Sequence, residues 1–93
     1  MFEPTASREL NEAADFYDLE RTGLGTEFLD AVEAALFVVV DNPAGFPLKF
    51  GETRKCVVRR FPYSIMYWFD DTTVYVSAVA HHKRRPGCWG ERG

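Results

Sequence analysis

The sequence predicts an α+β fold in which an N-terminal antiparallel helical hairpin packs on one face of a C-terminal antiparallel β-meander. Three observations carry this. Apolar residues recur at helical spacing up to residue 40, proline and glycine interrupt the pattern over residues 43–53, and β-rich runs of period 2 follow. With 93 residues, 46% hydrophobic and 27% charged, the chain is expected to build one core and one domain, residues 1–93.

Leu10, Ala13, Ala14 and Tyr17 fall at i, i+3, i+4 and i+7, which puts a single apolar stripe on a helix over residues 7–21. Thr5 is its expected cap behind Pro4, and Gly23 and Gly25 end it. The acids between the stripe positions, Glu9, Glu12, Asp15, Asp18 and Glu20, are expected on a solvated face. A second stripe through Phe28, Val32, Ala35, Leu36 and Val39 stops at Asp41-Asn42-Pro43, where proline removes a donor and disfavours helix before it. The short glycine-containing connection makes the two helices an antiparallel pair.

Residues 43–53 read as a loop. Three strands are expected beyond it, at residues 54–60, 64–69 and 74–80, joined by Phe61-Pro62-Tyr63 and Asp70-Asp71-Thr72-Thr73. Alternation assigns Cys56, Val58, Ile65, Tyr67, Phe69, Val74, Val76 and Ala78 to the face that receives the helices. The opposite face then shows Lys55, Val57, Arg59, Ser64, Met66, Trp68, Tyr75, Ser77 and Val79. That mixture is too apolar for open surface and too basic for a core, so something is expected to cover it. A protein partner, a stacked base and the chain's own tail are the candidates.

The formal charge of −3 conceals an asymmetry. Residues 1–48 carry 2 basic and 10 acidic side chains, a net of −8, whereas residues 49–93 carry 9 basic and 4 acidic, a net of +5. A basic half suits an anionic partner, nucleic acid or acidic peptide, although the two halves also neutralise each other. No apolar run approaches the ~20 residues that cross a bilayer, and the N-terminus lacks a signal-peptide layout, so a soluble cytoplasmic protein is expected. Cys56 and Cys88 are too few for a disulfide scaffold, and no cofactor or metal site is expected. Phosphate loops, dinucleotide fingerprints, nucleophile elbows and zinc-protease helices are absent from the sequence.

The densest chemical cluster runs from His81 through His82, Lys83, Arg84, Arg85, Pro86, Gly87 and Cys88 to Trp89. Cations stabilise phosphate oxygens, an aromatic stacks on a base, and histidine moves a proton near neutral pH. The plainer interpretation is a solvated basic tail anchored by Trp89. Arg59 is expected on the open face by parity, and Arg60 in an ion pair with a helical acid such as Glu33 or Asp30.

The order and spacing of these stretches resemble the RelE/ParE superfamily of type II toxin-antitoxin toxins. The residues that carry the resemblance are 8–17 (RELNEAADFY), 23–29 (GLGTEFL), 42–43 (NP), 59–67 (RRFPYSIMY) and 78–87 (AVAHHKRRPG), ending in Trp89. The resemblance implies a toxin that inhibits growth and is neutralised by an antitoxin encoded beside it, with hetero-oligomers of the two. RelE-like members cut mRNA on the ribosome, whereas ParE-like members share the fold and poison DNA gyrase.

In RelE-like nucleases an arginine stands where this chain has Ser64, a second aligns with Arg84, and a C-terminal tyrosine falls near Gly90. Losing a cation that meets the transition-state phosphate costs on the order of 2–4 kcal/mol, so the incomplete set favours a ParE-like gyrase inhibitor. A ribosome-dependent mRNA endoribonuclease is the alternative, with Arg84, His81, His82 and Lys83 as its catalytic residues. A decayed, non-toxic antitoxin-binding protein is a further one. Target-binding residues are expected at Arg59, Lys55, Arg85, Trp89 and Trp68, and antitoxin-binding residues at Met66, Trp68, Tyr75 and Val79. Family members usually begin with a longer edge strand than Met1-Phe2-Glu3-Pro4 allows, so the first edge strand is expected to be short or missing.

Overall fold

A computed structural model describes residues 1–82. Helix α1 spans Pro4–Glu20 and helix α2 Leu24–Asp41. After a 3₁₀ turn at Pro43–Gly45 come strands β1 (Leu48–Phe50), β2 (Thr53–Val57), β3 (Tyr63–Phe69) and β4 (Val74–His81), paired antiparallel in the order β1-β2-β3-β4. The predicted α+β arrangement, a helical hairpin on an antiparallel meander, is the one observed.

Helix α1 begins earlier than its apolar stripe suggests. Pro4 occupies the first turn, where its missing N–H is not needed, and Glu3 rather than Thr5 stands at the cap without a side-chain bond. Gly23 makes the interhelical turn with φ 89°, while Gly25 lies inside α2 and permits close approach of the two helices. A Cβ there would collide with the Ala14 carbonyl oxygen and sit 2.7 Å from the Asp18 carboxyl, which accepts the Gly25 N–H at 2.8 Å.

The core centres on four rings. Tyr17 and Phe28 lie 5.3 Å apart, Tyr17 and Phe61 5.0 Å, Phe28 and Phe61 5.2 Å, and Phe28 and Tyr63 5.1 Å between centroids. These tilted and edge-on contacts pin both helices to the β2–β3 connection, with Val32, Val39, Val58, Ile65, Tyr67 and Val76 continuing the core along the sheet.

The sheet differs from expectation in three places. Residues 48–50 form a fourth strand, too short between Pro47 and Gly51 to show an alternation. Strand β2 stops at Val57 instead of residue 60, because the chain turns through Arg60, which adopts φ 73°. Arg60 does bond a helical acid, but the acid is Glu27, at 3.3 Å, not Glu33 or Asp30. Third, the register slips on β4 opposite Met66 and Tyr67, so that Ala78 faces Met66 and Val79 faces Ile65. An extra residue inverts the alternation beyond it. Val79, expected on the open face, is therefore in the core, and Ala78, expected in the core, is on the back.

The outer edge of β4 is as expected. The first edge strand is reduced to a single parallel bridge between Phe2 and Val76, held by Glu3 N–H to Val76 O (2.9 Å) and Val76 N–H to Met1 O (2.8 Å). Past the bridge the chain enters α1, and the Val79 N–H is taken instead by the Glu9 carboxylate at 2.9 Å. Glu9 and Asp18, expected among solvated acids, thus each satisfy a backbone donor.

Three outcomes follow from this packing. Phe28→Ala should lower unfolding free energy by about 3–5 kcal/mol in urea denaturation, since it empties the middle of the ring cluster. Gly25→Ala should cost about 1–3 kcal/mol by forcing the helices apart. At the β3–β4 turn the Thr72 and Thr73 backbone N–H groups, with help from the Tyr75 hydroxyl, hold the Asp70 carboxyl below the usual carboxylate range. Because the folded value is the lower one, its stabilisation is present above the ordinary carboxylate pKa and disappears as pH falls through the folded value. An NMR titration should show the Asp70 midpoint below the ordinary aspartate value, and Asp70→Ala should flatten the acid limb of the stability profile.

Candidate functional site

The back of the sheet, opposite the helices, is the surface that the sequence marks for partners, and it is only partly open. Ser64 is 1% exposed and Met66 and Ala80 are also buried. The Ser64 hydroxyl lies 2.7 Å from His82 Nε2, and His82 is held in place by its own N–H on the Pro62 carbonyl at 2.8 Å. Met66 sits between Lys55 of β2 and Ala78 of β4. Farther along, Trp68 and Tyr75 stack at 4.1 Å with an interplanar angle of 17°, and the indole N–H donates to Glu3 Oε2 at 3.2 Å. Tyr75 in turn donates to Asp70 Oδ2 at 3.2 Å. The aromatic end of this face is therefore rimmed by carboxylates, not cations.

The residues expected to act together are dispersed. His81 and His82 diverge, as strand parity requires: His81 packs edge-on against Tyr63 at 5.0 Å on the core side, while His82 reaches Ser64 on the back. Arg59, expected on the open face, lies in the turn after β2 and lines a groove on the helical side, because the strand ends before parity can place it. Lys55, Met66, Trp68 and Tyr75 share the back face, and Val79 does not. Lys83, Arg84, Arg85 and Trp89 lie outside the described residues.

The groove is the feature that sequence reasoning missed. It has a volume of about 750 Å³ and runs between α2 and β2, with Ala31, Ala34, Ala35 and Val38 on the helix and Cys56 and Val57 on the strand. Glu27, Asp30, Arg59 and Arg60 line its charged end. Its signal in the sequence was an apolar residue of α2 outside the stripe, Val38, which lines the groove and is 56% exposed. Burial pushes the Cys56 thiol up, so it stays protonated and packs as a small apolar group. Among the described residues no cluster of histidine, cysteine and carboxylates could hold a metal ion, and no helix is long and apolar enough to cross a membrane. Among the described residues the arrangement offers two surfaces, the groove and the back of the sheet.

Comparison with known proteins agrees with that arrangement. No curated protein sequence matches the chain. Among solved structures it is similar to one described as the chromosomal ParDE TA system from P. aeruginosa, with a TM-score of 0.63 over 86% of this chain and 90% of that one. At 17% identity this likeness shows the fold. The family model described as the ParE toxin of the type II toxin-antitoxin system parDE matches residues 1–86, nearly the whole chain, and the protein therefore belongs to the ParE toxin family.

Proposed function

We propose that this ParE-family toxin acts in the cytoplasm, inhibits growth by binding DNA gyrase, and is neutralised by its cognate antitoxin. Ser64 carries the choice of target. It stands where RelE-like nucleases place an arginine, and here it is a buried hydroxyl engaged by His82, with no cation of β3 beside it. The neighbouring aromatic pair is flanked by Glu3 and Asp70, which repel a phosphate backbone. Inhibition by binding needs neither a strand arginine nor a general acid. Lys55 and Trp68 of the back face, together with Arg85 and Trp89, are the target-binding residues of this reading, and Tyr75 is an antitoxin-binding candidate beside Trp68. Val79, enclosed in the core, and Met66, buried between Lys55 and Ala78, are not.

Purified toxin should inhibit gyrase supercoiling while leaving translated mRNA uncut in primer extension. Lys55→Glu should weaken the inhibition about tenfold with an unchanged melting temperature, since reversing an interfacial charge changes association more than folding. Cuts in translated message that vanish in Arg84→Ala would establish the nuclease instead. Induction without growth arrest would mark a decayed toxin.

A further inference from the structure

The C-terminal end of β4 is fastened twice. Its main chain is held where the His82 N–H donates to the Pro62 carbonyl at 2.8 Å, one step beyond the Tyr63–His81 pair. The side chain of His82 is held as well. Ala80 and His82 fall on the back of the sheet by alternation, and Ala80 stands directly opposite Ser64, so His82 is the diagonal neighbour of Ser64, at a separation that a ring side chain can span. Its Nε2 lies 2.7 Å from the Ser64 hydroxyl. Ser64 is 1% exposed, whereas His82 is exposed. The hydroxyl is too enclosed to meet a substrate, and its bond ties an exposed ring to a fixed point inside the sheet. Because a hydroxyl both donates and accepts, it can hold the imidazole in either protonation state.

We propose that Ser64 and His82 form a latch that positions the basic segment beginning at Lys83 for its macromolecular target. This deepens the gyrase reading above and rests on it. Both residues are positioning residues. Residues 1–82 carry 7 basic and 13 acidic side chains, a net of −6, whereas residues 83–93 carry 4 basic (Lys83, Arg84, Arg85, Arg92) and 1 acidic, a net of +3. A basic segment with nothing to hold its start is drawn by that field toward the acids of α1 and α2, on the opposite face from Lys55. His82 is the residue immediately before the first of these cations. Bonded to Ser64, it sets the origin of the segment on the back of the sheet. There Lys55 of β2 stands two residues from Val57, the partner of Ser64, and adds a further cation. His81 cannot do the same, since it packs against Tyr63 on the core side. Fixing the start of a binding segment before the encounter reduces the entropy lost on association.

The test pairs two measurements on the full-length toxin: trypsin cleavage after Lys83, followed by mass spectrometry, and inhibition of gyrase supercoiling. Ser64→Ala releases an exposed ring and leaves no buried polar group unpaired, so the melting temperature should be unchanged. Cleavage after Lys83 should quicken at least about fivefold, and inhibition should weaken about tenfold. Adding His82→Ala to Ser64→Ala should weaken inhibition no further, because the two act through one bond. His82→Gln, whose amide can reach the Ser64 hydroxyl, should return both cleavage and inhibition to near the wild-type values. Unchanged cleavage and inhibition in Ser64→Ala overturn the proposal. Faster cleavage with full inhibition shows a latch that does not serve the target and overturns the positioning role. Weaker inhibition with a lowered melting temperature and no rescue by His82→Gln makes the pair structural and overturns that role too. Wild-type toxin that leaves gyrase untouched overturns the gyrase reading, and the cleavage rates then decide the latch by themselves.

Discussion

Four rings, Tyr17, Phe28, Phe61 and Tyr63, hold the helical hairpin against the β2–β3 connection, and the position of every candidate surface follows from that contact. Phe61 is buried although it belongs to a turn, so the turn must fold inward toward the helices. Bringing it inward ends β2 at Val57 and leaves Arg60 at φ 73°, a conformation that is uncommon for a residue with a side chain. The local cost is met by the burial of the ring and by the Arg60 bond to Glu27. Arg59 is thereby moved from the back of the sheet to the groove.

The same molecule closes one sheet edge and leaves the other open. An exposed edge is a template for pairing, and chains usually shorten it, cover it or give its backbone groups other partners. On β4 the N-terminal residues and the Glu9 carboxylate do so. On β2 only the half beside β1 is covered, and the remainder faces a groove walled by small helical side chains. Alanines at positions 31, 34 and 35 make poor core but good floor: they let another backbone come near α2, where leucine would fill the space.

Much of the architecture was legible because its periodicities are long. Stripes over two helices of 17 and 18 residues repeat enough times to set their type, and β3 and β4 show alternation over most of their length. What escaped was governed by single residues or by contacts distant in sequence. A three-residue β1 has no period to detect, and one bulge on β4 exchanged the faces of Ala78 and Val79. Glu9 and Asp18 looked like surface acids because their partners, the amides of Val79 and Gly25, exist only once the chain has folded. At the candidate site, the groove required knowing that β1 begins only after Pro47, so that the far end of β2 has no neighbour on that side.

Charge separates the two kinds of macromolecule that such a surface can meet. Residues 1–82 hold 7 basic and 13 acidic side chains, so the net positive charge of the second half is concentrated in its last eleven residues. A nucleic acid approaching the described body meets a net −6 and, at the stacked Trp68 and Tyr75, the carboxylates of Glu3 and Asp70. Long-range steering of a polyanion by this body is therefore repulsive, and it falls off over ~8 Å at physiological ionic strength. A protein surface pays no such penalty. It can bring its own cations to the acidic helices, apolar side chains to the groove and a carboxylate to Arg59. Groove and back face lie on different sides of the sheet, so a segment seated in the groove does not by itself cover Lys55 and Trp68.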